Sequence, residues 1–299
     1  MTVEIVELLK AALFGLVEGI TEWLPVSSTG HMLLLDQFVK LDVSKDFWDM
    51  FLVVIQLGAI LAVCVLFFHQ LNPFSPKKSP DQKRSTWRLW AQVVVACIPA
   101  AAIGIPLDDW MEEHLGSPFV VAGALIAYGI AFIVIETIRE RKPSGSHFAS
   151  QKRGALALTN DANAPVQRVE DLGWGTALGI GVFQILSIVP GTSRSGSTII
   201  GGLLLGCSRA VAAEFTFYLA IPVMLGASGL RLVKFFLKGS SFAAQELAIL
   251  GVGCVVAFVV SMLAIRFLMG FVKKHDFKPF GWYRIALGIV VIAYFAFAR

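Results

Sequence analysis

Charge is the scarcest property of this 299-residue chain: Asp, Glu, Lys and Arg together make up 15% of it, against 56% hydrophobic residues. A soluble domain carries about a quarter charged residues, so the shortfall excludes an ordinary water-soluble globule. A net charge of +4 is too small to argue for nucleic acid, and none is expected as a partner. Cys64, Cys97, Cys207 and Cys254 stand singly in apolar runs with neither metal-ligand nor redox spacing. They read as small buried hydrophobes. No cleavable leader is expected at the N-terminus, because Glu4, Glu7 and Lys10 interrupt it and no small-residue cleavage site follows.

Apolar runs of bilayer-spanning length are what the chain has in quantity. Six of them, 48–69, 89–107, 118–138, 214–237, 244–271 and 281–298, are long enough to cross. Two further runs, 5–38 and 173–207, are broken midway, the first by Pro25 and Ser27-Ser28-Thr29-Gly30, the second by Pro190-Gly191 and the stretch Thr192 to Gly196. Each predicts two half-helices too short to cross alone. Polar, non-helical backbone at membrane depth survives only when buried in protein or lining a wet cavity, so both runs read as re-entrant hairpins. The expected fold is an all-α polytopic membrane protein with six spans and two re-entrant helical hairpins.

Loop charge sets the orientation. Segment 70–88 carries Lys77, Lys78, Lys83, Arg84 and Arg88, and 139–172 carries Arg139, Arg141, Lys142, Lys152, Arg153 and Arg168. Segment 108–117 between them holds Asp108, Asp109, Glu112 and Glu113 and no Lys or Arg. The positive-inside rule makes the two basic loops cytoplasmic and the acidic one external. Lys273, Lys274 and Lys278 then also fall inside, whereas Arg231, Lys234 and Lys238 lie near the outer surface against the rule. This count gives a first repeat over 1–138 (hairpin 5–38, then spans 48–69, 89–107 and 118–138), a cytoplasmic linker over 139–172, and a second repeat over 173–299 (hairpin 173–207, then spans 214–237, 244–271 and 281–298). The halves start on opposite sides, and "LPVSSTGH" at 24–31 echoes "VPGTSRSG" at 189–196, which together suggest an inverted repeat.

The interrupted runs hold the chemistry. In "PGTSRSGST", residues 190–198, Pro190-Gly191 ends one half-helix and a glycine- and hydroxyl-rich turn opens the next near Ser195. The unsatisfied N–H groups of that first turn, the positive end of its dipole and the guanidinium of Arg194 together make an anion cradle. The bland alternative, serine caps with Arg194 reaching for the interface, fits poorly for an arginine in mid-segment. Glu18 and Glu22 share one helix face a turn apart, where two ionised carboxylates repel and are costly to desolvate. A shared proton would relieve them, and so would a divalent cation, of which Mg²⁺ typically takes one or two carboxylates together with substrate phosphate oxygens. Ser28 and His31, three residues apart, could pair a hydroxyl nucleophile with a proton relay. Equally, Ser27, Ser28 and Thr29 are natural helix caps and His31 a hydrogen-bonded bystander. Glu214 is placed either to orient Arg194 or at the headgroup level.

These two motifs carry a resemblance. "EGITEWLPVSSTGH" at 18–31 and "PGTSRSG" at 190–196 resemble the two signature regions of the undecaprenyl-diphosphate phosphatases, also called bacitracin-resistance proteins, without a departure inside either. The resemblance implies a bacterial plasma-membrane hydrolase. It would convert a C55 polyprenyl diphosphate to the monophosphate and inorganic phosphate, recycling the carrier for peptidoglycan synthesis, from a site open to the periplasmic side. Glu18 and Glu22 would hold a divalent cation, Mg²⁺ or Ca²⁺. Arg194 with Thr192, Ser193, Ser195, Gly196, Ser197 and Thr198 would bind phosphate oxygens, assisted by Ser27 and Thr29. Attack would come from Ser28, from Ser27 or from water, with His31 managing the proton. The substrate lipid and the bilayer are the implied partners, and a homodimer is left open. An acid-phosphatase-like lipid phosphatase would need a histidine several residues after Ser193-Arg194, but the next one is the distant His275. A transporter or flippase of an anionic polyprenyl lipid is the rival from another class, since broken helices aimed at a midplane anion are how such carriers are built.

Overall fold

The computed structural model of the chain describes residues 4–141 and 159–297. Within them the fold is helical, with a single isolated bridge between Val166 and Cys207 as the only extended pairing. In chain order the helices are α1 (Ile5–Thr21), α2 (Ser28–Phe38), α3 (Lys45–Val54), α4 (Gln56–Leu66), α5 (Phe68–Leu71), α6 (Pro80–Leu115), α7 (Pro118–Glu140), α8 (Trp174–Ile185), α9 (Arg194–Leu204), α10 (Arg209–Leu237), α11 (Ala244–Phe271) and α12 (Lys278–Phe297). Six helical stretches are long and apolar enough to cross a membrane: Lys45–Leu66, Pro80–Leu107, Pro118–Glu140, Arg209–Leu237, Ala244–Phe271 and Lys278–Phe297. The chain is an all-α, multi-pass membrane protein.

Serine sets where most of these spans begin. Ser44, Ser79, Ser117 and Ser208 each accept a hydrogen bond from the N–H three residues on, satisfying a donor that the first helical turn leaves open. Ser79 and Gln82 complete a reciprocal capping box ahead of Pro80. The caps explain why several spans start earlier than hydropathy alone suggests. α6 extends well beyond 89–107 in both directions, so Lys83, Arg84 and Arg88 are helical and the segment 108–117 is helical to Leu115. The run 48–69 is divided at Ile55, where neither proline nor glycine marks the break. Arg139, counted above as a loop residue, lies in α7, fully buried, and donates to the carbonyls of Leu203 (2.8 Å) in the last turn of α9 and of Cys207 just beyond it. Of the 139–172 linker, residues 142–158, with Lys142, Lys152 and Arg153, lie outside the described residues.

Both interrupted runs are helical hairpins: α1 and α2 turn through residues 22–27, α8 and α9 through residues 186–193. α1 packs along α11, and α8 packs along α6; α7 pairs with α12, and α3 with α4 faces α10. Small residues let these backbones close up, the usual device for helices that gain nothing from burying apolar surface against one another in lipid. The tightest approach is at Gly58 on α4, where an added Cβ would lie 2.1 Å from the Cys254 carbonyl oxygen of α11. Gly58→Ala is expected to cost about 1–3 kcal/mol through overpacking, read as a lower unfolding temperature in detergent. Gly226→Ala, where an added Cβ would point into open space, is expected not to lower that temperature. Beneath the two hairpin turns the core is aromatic: Trp23 is fully buried with its ring edge-on to Phe217 at 5.3 Å.

Candidate active site

The two hairpin turns are built alike. Ser27 and Ser193 are the N-caps of α2 and α9, with φ of 71° and 70°. Each side chain accepts from the glycine N–H three residues on, Gly30 at 3.4 Å and Gly196 at 3.2 Å. A positive φ at a residue with a Cβ costs about 1–3 kcal/mol and persists only where the surroundings impose it. At Gly191 φ is +94°, and a Cβ there would meet the Val121 carbonyl oxygen at 2.5 Å, so only glycine lets the second turn seat on α7.

Glu22 and Arg194 join the turns. Glu22, the C-cap of α1, pairs through Oε1 with Arg194 Nη2 at 3.0 Å, and its Oε2 accepts from Ser28 Oγ at 2.8 Å. The Glu22 carbonyl accepts from Ser195 Oγ at 3.0 Å. Arg194 Nη1 donates to the Thr216 carbonyl of α10 at 3.2 Å, while its Nε is buried with no partner among the described residues. Thr216 donates to Thr198 Oγ1 (2.8 Å), which itself donates to the Arg194 carbonyl (2.9 Å). Glu18, one turn before Glu22, is 1% exposed, and its Oε1 likewise has no partner among the described residues.

The remaining candidates divide. Ser193 and Ser195 are hydroxyl to hydroxyl at 3.1 Å, and Ser197 donates to Tyr128 Oη at 3.1 Å. Thr192 is turned back, donating to the carbonyls of Leu186 and Val189, which makes it a brace of the turn. Thr29 is exposed. His31 does not face Ser28: its Nδ1 lies 2.7 Å from the Ser27 carbonyl and its Nε2 2.7 Å from Tyr283 Oη. Glu214 accepts from Tyr218 one turn on, while Arg194 takes its partners from Glu22 and Thr216, so Glu214 does not orient Arg194.

Sequence reasoning missed Arg284 altogether. This α12 side chain is 0% exposed and donates to Pro25 O (3.2 Å), Gly191 O (2.8 Å) and Thr192 O (2.9 Å), pinning both turns at once. Among the described residues no carboxylate lies within 4 Å of it; its charge meets carbonyl dipoles and the Tyr128 ring, 5.3 Å away. The cue in "GWYRIALG" was the one that singled out Arg194, an ionisable residue inside an apolar span.

The charges bear on the cation. Glu18 and Glu22 formally cancel Arg194 and Arg284, so an entering diphosphate meets no net positive charge. The described residues contain no cluster of three or more His, Cys, Asp or Glu able to enclose a metal. Two carboxylates completed by substrate oxygens is nonetheless a donor set that Mg²⁺ accepts, and the orphaned Glu18 Oε1 is the oxygen left free to bind it. The residues present fit the group.

Comparison with known proteins agrees over nearly the whole chain. The bacitracin resistance protein BacA family matches residues 11–290. The chain is 52% identical to a protein of Enterococcus faecalis named undecaprenyl-diphosphatase, over 97% of this chain and 98% of that one. It is 53% identical to proteins of the same name from Lactiplantibacillus plantarum and Streptococcus thermophilus, each over 97% of this chain and over 98% and 94% of theirs.

Proposed function

Because the chain belongs to the bacitracin resistance protein BacA family, we infer that it is a membrane hydrolase acting on undecaprenyl diphosphate. It removes the terminal phosphate, returning undecaprenyl phosphate to peptidoglycan synthesis and conferring bacitracin resistance. The observation that carries the site is the Glu22–Arg194 pair, which brings a carboxylate from one hairpin and the opening turn of a half-helix from the other within 3.0 Å.

The diphosphate binds at the start of α9. Arg194 Nε is its first donor, joined by the backbone N–H groups of the opening turn and by Ser193 and Ser195. Glu18 and Glu22 would hold a divalent cation, which when bound would supply charge neutralisation of the diphosphate. The attacking oxygen is Ser28 Oγ or a water at its place, and the Ser28–Glu22 hydrogen bond supports that position. Ser27 is unsuited to attack: it is fully buried and committed as a cap. As in phosphoryl transfer generally, rate gain comes from positioning and charge stabilisation.

The same reading takes the two halves as an inverted repeat. The matched Ser27 and Ser193 caps support it, as does the pairing of α1 with α11 and of α8 with α6. The loop charges put the first hairpin on the periplasmic side, from which the site opens. No observation favours the carrier alternative.

Phosphate release from the purified chain given a C55 polyprenyl diphosphate in detergent tests this. Release is expected in Mg²⁺, to stop in EDTA, to return on Mg²⁺ addition, and to be lost in Glu18→Gln. Undiminished release in excess EDTA would remove the cation from the mechanism, and no release from folded wild-type protein would remove the hydrolase.

A further inference from the structure

Residues 159–172 join α7 to α8 and carry only two single 3₁₀ turns, Asp161–Asn163 and Val169–Asp171, yet much of this stretch is buried. Ala164, Val166, Val169 and Leu172 are all buried, and the last three belong to the main apolar core. The backbone is held from both sides. The Leu172 carbonyl accepts from Gln92 Nε2 of α6 at 2.7 Å. Val166 pairs with the turn between α9 and α10: its N–H donates to the Gly206 carbonyl (3.1 Å) and its carbonyl accepts from the Ser208 N–H (3.0 Å). The segment thus crosses the ends of α6, α9 and α10 on the side that loop charge makes cytoplasmic.

An ion cluster fastens it there. Asp161 Oδ1 accepts from the Arg209 N–H at 2.7 Å and from Arg139 Nη2 at 3.3 Å. Arg209 grips both carboxylate oxygens of Glu136, at 2.9 and 2.8 Å, and Glu136 Oε1 also accepts from the Phe277 N–H at 3.2 Å. Glu136 and Arg139 are fully buried. Two acids and two bases therefore join the segment to α7, to α10 and to the turn before α12, and Arg139 adds the last turn of α9. Buried ions are a poor route to stability, because apolar residues of similar volume do as well; their best-attested use is to select one arrangement among alternatives. The opposite face is held differently. Its Lys238–Asp46 pair is exposed on both partners, and the ends of α2 and α12 meet through the Phe38 and Tyr294 rings, 5.3 Å apart. Exposed pairs hold little, and apolar helix contacts gain little in lipid.

We propose that residues 161–172 are a plug that shuts the diphosphate site off from the cytoplasm, with the Asp161–Arg209–Glu136–Arg139 cluster as its lock, an inference that rests on the phosphatase reading and orientation above. The lock sits at the far end of α9 from Arg194, about 15 Å along the helix axis. With the plug in place, a diphosphate reaches Arg194 only from the outer face. Soluble prenyl diphosphates in the cytoplasm are spared, although their headgroup chemistry is the same.

The test uses right-side-out and inside-out membrane vesicles given a short-chain, water-soluble prenyl diphosphate that does not cross the bilayer, with Mg²⁺. Wild type is expected to release phosphate at least about tenfold faster in right-side-out vesicles, the ratio that a strongly favoured closed state gives. Glu136→Gln combined with Arg209→Met is expected to raise inside-out release about tenfold while right-side-out release stays within about threefold. Asp161→Asn, at a side chain 33% exposed, leaves the core intact and is expected to shift inside-out release the same way by a smaller factor. It decides the matter where the double variant does not fold. Inside-out release equal to right-side-out release in wild type overturns the proposal, as does unchanged inside-out release in both variants. Cys207, fully buried beside Arg139, gives a readout independent of activity. With Cys64, Cys97 and Cys254 replaced by alanine, a membrane-impermeant maleimide added to inside-out vesicles is expected to spare Cys207 in the intact lock and to label it in the variants. Equal labelling overturns the lock. If wild type releases phosphate in neither orientation nor in detergent, the phosphatase reading falls by itself, and Cys207 labelling alone decides the lock.

Discussion

Arg194→Lys is expected to lower kcat for phosphate release by about 10³-fold or more, within the range seen when an arginine is removed from a phosphoryl-transfer site. The guanidinium does three things with three nitrogens. Nη2 pairs with Glu22, Nη1 holds the Thr216 carbonyl, and Nε stays free in the interior. Lysine presents one nitrogen at one point. It can keep the ion pair with Glu22 or reach a phosphate oxygen, and it cannot present the fixed fork that matches phosphate geometry. Glu22 offers its other carboxylate oxygen to Ser28, so losing the pair also shifts the Ser28 hydroxyl. Steady-state kinetics beside a thermal unfolding curve check this. A lysine variant within tenfold of wild type would mean that charge alone suffices.

Arg284→Met is expected to have the largest effect on stability. Methionine fills much of the volume and supplies no donor, leaving three carbonyls of the two turns without their partner. An orphaned buried acceptor costs about 1–3 kcal/mol, so a total near 3 kcal/mol or more is expected, together with at least a 10²-fold fall in phosphate release per folded molecule. The turns it holds contain Ser27 and Ser193, whose backbone conformation is strained and relaxes when the outside hold is removed. Arg284→Lys is expected to recover part of the stability and little activity, since one ammonium cannot span both turns. Unfolding curves of the three proteins in one detergent, with release normalised to folded protein, are the measurement. Wild-type stability in Arg284→Met would show that the turns stand without it.

The broken hairpins were legible because proline, glycine and clustered hydroxyls interrupt apolar runs, a pattern local in sequence. Glu18, Glu22 and Arg194 were legible for a related reason: an ionisable group in an apolar run is conspicuous, and Glu22 and Arg194 do meet. What was hidden depends on packing between distant segments. Nothing local ties Tyr283 to His31 or Arg284 to Pro25. The break at Ile55 follows no residue preference, and α6 runs on through acidic residues because charge is tolerated in a helix that has left the apolar layer. The three-residue spacing of Ser28 and His31 suggested a pair, yet the Ser27 cap turns the imidazole toward α12 and the Ser28 hydroxyl toward α1.

The position of Arg284 in the chain also governs when the site can exist. Glu18, Glu22 and Arg194 are all made before α12, but the turns that present them are clamped by a residue of α12. The growing chain therefore contains Glu18, Glu22 and Arg194 before it contains the residue that clamps their turns, and phosphate release is expected only once α12 has formed and packed on α7. A chain stopped short of α12 is therefore expected to carry all three charged groups and leave the lipid pool untouched, because the clamp that sets their geometry is missing.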